Sequence, residues 1–199
     1  MPDQDPETIG RLAGRLHQEM RAYPKPLPVR DRQFYIGRYV DVLRKKHYPR
    51  AEEYATYGEA LWERLKTLPT GPCHGDLYCG NIRRTPDGGL YVYDFDTACI
   101  GFPMYDLTLI ADQTEYFCFD EANYRRSHQL LARMLPAYRE EASLSREEER
   151  AFPALIAMQH FSTQATITEL FGPDCLSDEN IDAQLDWLYR WQSQWEAEK

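Results

Sequence analysis

The 199-residue sequence has no apolar run longer than a few residues, far short of the roughly 20 that carry a helix across a bilayer. No membrane-spanning segment is expected. The opening stretch MPDQDPETIG is acidic and polar, unlike a secretory signal. Cysteine is sparse: Cys73, Cys79, Cys99, Cys118 and Cys175 form no CxxC pair and, being five, cannot all pair internally. Reduced thiols in a cytoplasmic protein are the simplest reading. Basic residues are also short, 23 Lys and Arg against 32 Asp and Glu for a formal charge of −9. Non-specific nucleic-acid binding, which draws on Lys and Arg, is therefore not expected. A cationic small-molecule partner is compatible with the balance. A glycine-rich GxGxxG run is missing as well.

What is present is mostly helix-forming. Asp5 is placed as an N-cap, Pro6 suits the first helical position, and Ile9, Leu12, Leu16 and Met20 mark one apolar face. The alternate prolines of YPKPLPVR (Tyr23 to Arg30) demand an extended connector. Further helices are expected over about 32–46 and 50–66, with a break over Leu68 to Pro72. NIRRT and LYVYDF flank the turn-rich Pro86-Asp87-Gly88-Gly89 and read as a β-hairpin. Beyond it helices are expected near 104–116, 121–138, 146–171 and 179–197, the last with a core-facing stripe of Ile181, Leu185, Leu188, Trp191 and Trp195. No internal repeat or low-complexity tract interrupts the chain. The pattern predicts one domain over 1–199, mainly α with a small β-hairpin.

The chemistry concentrates around that hairpin. CHGDLYCGN places His74, Gly75, Asp76 and Asn81 in one loop, and Asp94-Phe95-Asp96 follows the strand that returns beside it. Phosphoryl transfer from a nucleotide needs such a set: a carboxylate to take the proton of the attacking hydroxyl, and hard oxygen ligands for Mg²⁺. Taken singly, each of these residues would be a turn or cap residue. His17, His47, His128 and His160 lack ligand spacing and read as structural or solvent-facing. Cys73 and Cys79 read as small buried hydrophobes. Asp182, Asp186 and Glu196 could line a pocket for a cationic substrate, but a solvated helix face is the favoured reading.

His-x-Asp-x-x-x-x-Asn followed by Asp-Phe-x resembles the catalytic and metal loops of protein kinases. With Gly in second position, HGDLYCGN and VYDFDTACIGFPMYDL look like the aminoglycoside phosphotransferase and choline kinase family, and Gly101 and Tyr105-Asp106-Leu107 match its pattern. IGRLAGRLHQEM is similar to the helix that follows the hinge in those enzymes. The resemblance implies a protein-kinase-like C-terminal lobe over nearly the whole chain, with catalytic loop 74–81, metal loop 94–96 and helical remainder 103–197. It implies Asp76 as catalytic base, Asn81 and Asp94 as Mg²⁺ ligands, His74 as a brace of the loop and Asp106 as a buried structural acid. Asp96 stands where protein kinases have glycine, with no role assigned. The implied reaction moves the γ-phosphate of ATP or GTP to a hydroxyl of a small molecule. Relatives of this pattern act on aminoglycosides, choline-like amines, amino-acid alcohols and sugars.

The N-terminal β lobe of such enzymes, with its phosphate-covering loop and phosphate-holding lysine, has no counterpart here. Before the loop the lysines are Lys25, Lys45, Lys46 and Lys66, none in a Val-Ala-Ile-Lys type of strand. Three readings stay open. The chain is a fragment; or a partner chain or second copy supplies the nucleotide lobe and covers the exposed surface; or the lobe is a non-catalytic ligand-binding or regulatory module.

Overall fold

The structure, a computed structural model that describes residues 5–197, is mostly helical with two small antiparallel sheets. Its helices are α1 (Pro6–Arg21), α2 (Arg38–Lys45), α3 (Ala51–Leu65), α4 (Pro103–Ala111), α5 (Glu121–Glu141), α6 (Arg146–Arg150), α7 (Phe152–Phe171) and α8 (Asp178–Ala197). The strands are β1 (Gly71–Cys73), β2 (Ile82–Arg84), β3 (Leu90–Val92) and β4 (Cys99–Gly101). No helix among the described residues is long and apolar enough to cross a membrane.

The chain divides into two compact units. The first takes the chain up to Val29, Leu68–Gln113 and Ala122–Phe152. Here α1 packs on β1 and α4, and lies close along α5, with Arg11 to Glu140 at 2.6 Å and Arg15 to Glu141 at 2.9 Å on the flank. Of the expected apolar stripe on α1, Ile9 and Leu16 are buried and Leu12 and Met20 half-buried; Pro6, Gly10, Ala13, Gly14 and His17 complete the buried face. Gly10 and Gly14 let the α5 backbone come near, at Met134 and Tyr138, so these small residues rather than Leu12 mark the contact. Asp5 is extended as expected of an N-cap, but its carboxylate accepts from the Thr8 hydroxyl at 3.4 Å rather than from a helix amide.

The predicted hairpin forms: β2 pairs with β3 in the register Ile82–Val92, Arg83–Tyr91, Arg84–Leu90. The expected break over 68–72 instead runs into β1, which pairs with β4 as Gly71–Gly101, Pro72–Ile100 and Cys73–Cys99. The proline-rich connector is extended and joins this sheet, Ile100 N donating to Pro28 O at 2.8 Å.

The second unit takes Arg30–Thr67, Thr114–Glu121 and Pro153–Lys199. A cluster of Tyr39, Tyr54, Tyr57 and Phe161 joins α2, α3 and α7 through mostly edge-to-face rings. Each buried phenol finds an acceptor on α8: Tyr39 on Gln184 Oε1, Tyr54 on Ile181 O and Tyr57 on Leu188 O. That is how aromatic rings with a polar tip become core residues. The stripe Ile181, Leu185, Leu188, Trp191 and Trp195 is buried as expected.

Three helix boundaries differ from the sequence reading. The helix expected over 32–46 is a π-helical turn, Gln33–Gly37, followed by α2. That expected over 104–116 stops at Ala111, because Gln113 N donates to Ser127 Oγ at 2.9 Å and leaves the helical ladder. That expected over 146–171 is two helices: Ala151 closes α6 with its amide on Glu147 O and Glu148 O, and Pro153 lacks the amide that would continue the ladder.

Candidate active site

The polar loop is built on the β1–β4 pair. Leaving β1, the chain turns at Gly75, whose φ of +81° is a conformation that glycine adopts without strain. This accounts for the small residue between His74 and Asp76. The 3-10 turn Cys79–Asn81 then delivers the chain into β2. Tyr93, just after β3, is bonded on both sides of its backbone. Its amide donates to Asn81 O at 3.2 Å, and its carbonyl receives His74 Nε2 at 3.0 Å. Asp94 is therefore the next residue after a point anchored twice to the loop.

Asp76 and Asn81 meet directly. Asn81 Nδ2 donates to Asp76 Oδ2 at 3.1 Å and to Asp76 O at 2.9 Å. With its amide nitrogen so engaged, the buried Asn81 keeps its carbonyl oxygen as the remaining acceptor end. Asp94 is exposed and holds a left-handed backbone, φ 67° and ψ 65°. A non-glycine residue rarely adopts that region, and such conformations concentrate at functional positions. Asp96 is also exposed, in the short 3-10 turn Phe95–Thr97.

His74 is fully buried and braces the loop. Its Nδ1 accepts from Asp76 N at 3.3 Å, so the proton sits on Nε2, which donates to Tyr93 O. Thr97 Oγ1 donates to His74 O at 3.0 Å, tying the segment after Asp94 back to the loop. Asp106, on the first turn of α4, is fully buried and receives two successive loop amides. His74 N lies 2.7 Å from Oδ2 and Gly75 N lies 2.8 Å from Oδ1. A third donor is His17 Nε2, 3.0 Å from Oδ2, and His17 Nδ1 in turn contacts the Tyr138 hydroxyl at 2.8 Å. The loop is thus held by a buried chain from α5 through α1 to α4.

The five residues singled out from sequence all belong to this one constellation: Asp76, Asn81, His74 and Asp106 by direct bonds, Asp94 through Tyr93. His17, Tyr138 and Thr97 complete it and were not singled out as parts of a site. The sole signal for His17 was its position among the small residues of α1. The oxygens of Asn81 and Asp94 suit a hard cation such as Mg²⁺, which takes one or two protein ligands and completes its shell with phosphate and water. Among the described residues no group of three His, Cys, Asp or Glu side chains could hold a metal by itself. Cys73 is buried as expected, whereas Cys79 is half-buried; Asp182 pairs with Arg50 where both are half-buried, and Glu196 pairs with Arg64 on an exposed face.

Residues 1–152 match the phosphotransferase enzyme family, APH. An uncharacterized protein of Deinococcus radiodurans is 30% identical over 130 residues, 63% of this chain and 36% of that protein. Among solved structures, the amicoumacin kinase hAmiN, in complex with AMP-PNP, Ca²⁺ and Ami, superposes with a TM-score of 0.69 at 16% identity. A choline/ethanolamine kinase family protein from Mesorhizobium loti gives 0.64 at 15%, and the choline kinase LicA from Streptococcus pneumoniae 0.62 at 18%. They share the fold over 94 to 95% of this chain, which spans only 58 to 66% of their lengths. This agrees with a kinase-like C-terminal lobe. The chain spans about a third of the curated relative.

Proposed function

The chain belongs to the phosphotransferase enzyme family, and on that premise we propose that it carries the catalytic half of a small-molecule kinase. The reaction is transfer of the γ-phosphate of ATP or GTP to a substrate hydroxyl. The observation that carries this reading is the direct bond between Asp76 and Asn81, with Asp94 anchored to the same loop through Tyr93.

In this reading Asp76 orients the substrate hydroxyl and receives its proton. Asn81, by donating to Asp76 Oδ2, fixes the carboxylate in one rotamer, so little reorganisation is needed when the hydroxyl arrives. Asn81 Oδ1 and the Asp94 carboxylate would hold Mg²⁺. When bound, the ion offsets the charge of the phosphate groups. His74 does no proton transfer, since both ring nitrogens are committed to backbone groups. Asp106 holds the loop in place by its two amides. A β lobe that grips the nucleotide, from the same polypeptide or a partner, completes the enzyme.

The test is calorimetric titration of MgATP and MgGTP into the chain, with Asp94→Ala as control. Metal-dependent heat that disappears in the variant is expected. Absence of heat at millimolar nucleotide would overturn a metal–nucleotide site that works on this chain by itself. It would leave a fragment that needs its β lobe, or a binding or regulatory module; the 58 to 66% coverage of related structures is compatible with both.

A further inference from the structure

The second unit contains buried polar atoms that the phosphotransfer reading does not use. Gln159 and His160 are adjacent on α7, 7% and 0% exposed, where the apolar first half of the helix gives way to a stretch carrying Ser162, Thr163 and Gln164. Gln159 Oε1 and His160 Nδ1 have no hydrogen-bond partner among the described residues. Leaving such atoms unpaired costs about 1–3 kcal/mol each, so their retention in a core asks for a reason.

Their surroundings are aromatic above and hydroxylic at the sides. Trp187 stacks on the His160 ring with centroids 3.9 Å apart, and the Tyr116 ring lies 4.3 Å away at a tilt. Thr114 Oγ1 is 3.2 Å from His160 Nε2. Gln159 Nε2 donates to the Tyr116 hydroxyl at 3.5 Å, and that hydroxyl donates to Thr163 Oγ1 at 3.4 Å. These contacts are long beside the usual 2.7–3.0 Å. The polar groups are gathered but not drawn tight. Because the Tyr116 hydroxyl gives its proton to Thr163, the Gln159 amide must present its nitrogen there, and its oxygen is the end left over.

Gln159 Oε1 is an acceptor. Burial pushes His160 down to about 3, so its ring is neutral; in the tautomer that donates Nε2–H to Thr114 Oγ1, the one the proposal takes, the Nδ1 lone pair is a second acceptor. The cover is movable in kind: the segment 112–120 has no regular helix or strand, and Tyr116 and Thr114 are half-buried rather than buried. A swing of Tyr116 would bare both acceptors without disturbing α7.

We propose that Gln159 Oε1 and His160 Nδ1, roofed by Tyr116, are a binding site for a polar small molecule that donates one hydrogen bond to each through hydroxyl or amine groups. A ligand without N–H or O–H, such as tetramethylammonium, leaves both acceptors unmet and does not bind. The site is independent of nucleotide and metal.

The test is nitrogen-15 NMR of the imidazoles in the nucleotide-free, metal-free chain. Glucosamine, glucose, ethylamine and tetramethylammonium are titrated to millimolar concentration. The expected result is a saturable shift of His160 Nδ1 with glucosamine, none with tetramethylammonium, and about tenfold weaker binding in Gln159→Leu, the cost of one lost hydrogen bond. Glucose and ethylamine separate hydroxyl from amine recognition. Gln159→Leu also removes an unpaired polar atom, so its melting temperature should rise. No His160 shift with any donor probe, an equal shift with tetramethylammonium, or a lower melting temperature in Gln159→Leu each overturns the proposal. A failed MgATP titration bears on the phosphotransfer reading and leaves this result untouched.

Discussion

His17 on α1 and Asp106 on α4 meet in the core, Nε2 to Oδ2 at 3.0 Å, although 89 residues separate them in the chain. Asp106 also receives the amides of His74 and Gly75, so the pair carries the catalytic loop. Since Tyr138 holds the far side of the His17 ring, the loop's position depends on three helices at once.

Replacing His17 by Leu takes the ring partner from the Tyr138 hydroxyl and leaves the buried Asp106 carboxylate with only the His74 and Gly75 amides of its three donors. The expected loss is about 2–4 kcal/mol of unfolding free energy by urea titration. Tyr138→Phe alone should cost less, about 1 kcal/mol, because the hydroxyl leaves with its need for a partner. The double variant should lose less than the sum, since both changes break the same bond. Strict additivity would show that the two groups do not communicate.

The active loop was legible because its geometry is local. Asp76 and Asn81 lie five positions apart in one turn, and the hairpin that returns Asp94 is announced by Pro86-Asp87-Gly88-Gly89. His17 was not legible, because nothing near it in sequence names Asp106 as its partner. The β1–β4 pair was missed for a different reason: strands of three residues are too short to show alternation, and Pro72 argues against a strand. On α1 the pattern of large apolar residues found the buried Ile9 and Leu16 but not the contact with α5, which Gly10 and Gly14 make by being small.

Gly10 gives that last point a measurable form. A Cβ placed there would lie 2.2 Å from Met134 O and 2.9 Å from Met134 C, both backbone atoms of α5 that cannot turn aside. Gly10→Ala gains about 1 kcal/mol of helix propensity, yet overpacking costs typically 1–3 kcal/mol and more against backbone. The clash should win, with a net loss of stability. Gln18→Ala, on the exposed side of α1, serves as control and should be near neutral. A stabilised Gly10→Ala would show that α1 and α5 are farther apart than described.

The cysteines predict a graded reactivity. Cys118 and Cys175 are exposed, Cys79 is half-buried, and Cys73 and Cys99 are buried opposite each other across β1 and β4. Contact with the Cys99 thiol, and then burial, push the Cys73 thiol well up, so it supplies almost no thiolate at neutral pH. Alkylation followed by mass spectrometry should label Cys118 and Cys175 first. Cys73 and Cys99 should react only as the first unit unfolds. Early labelling at Cys73 would contradict the β1–β4 pairing.

His160 fixes the direction of acid sensitivity in the second unit. Burial lowers it to about 3, against about 6.5 for a histidine in the unfolded chain. Below pH 6.5 the unfolded state takes up a proton that the folded state refuses. Stability is therefore fully present above that pH and falls as pH drops toward 3. One proton gives a slope approaching about 1.4 kcal/mol per pH unit. Carboxylates add their own terms lower down, so the informative window is pH 6.5 to 5. His160→Gln, which cannot titrate, should flatten the urea midpoint across that window while being less stable at pH 7. If wild type and variant lose stability in parallel, His160 is reached by solvent protons in the folded chain, and the roof formed by Tyr116 and Trp187 is open rather than closed.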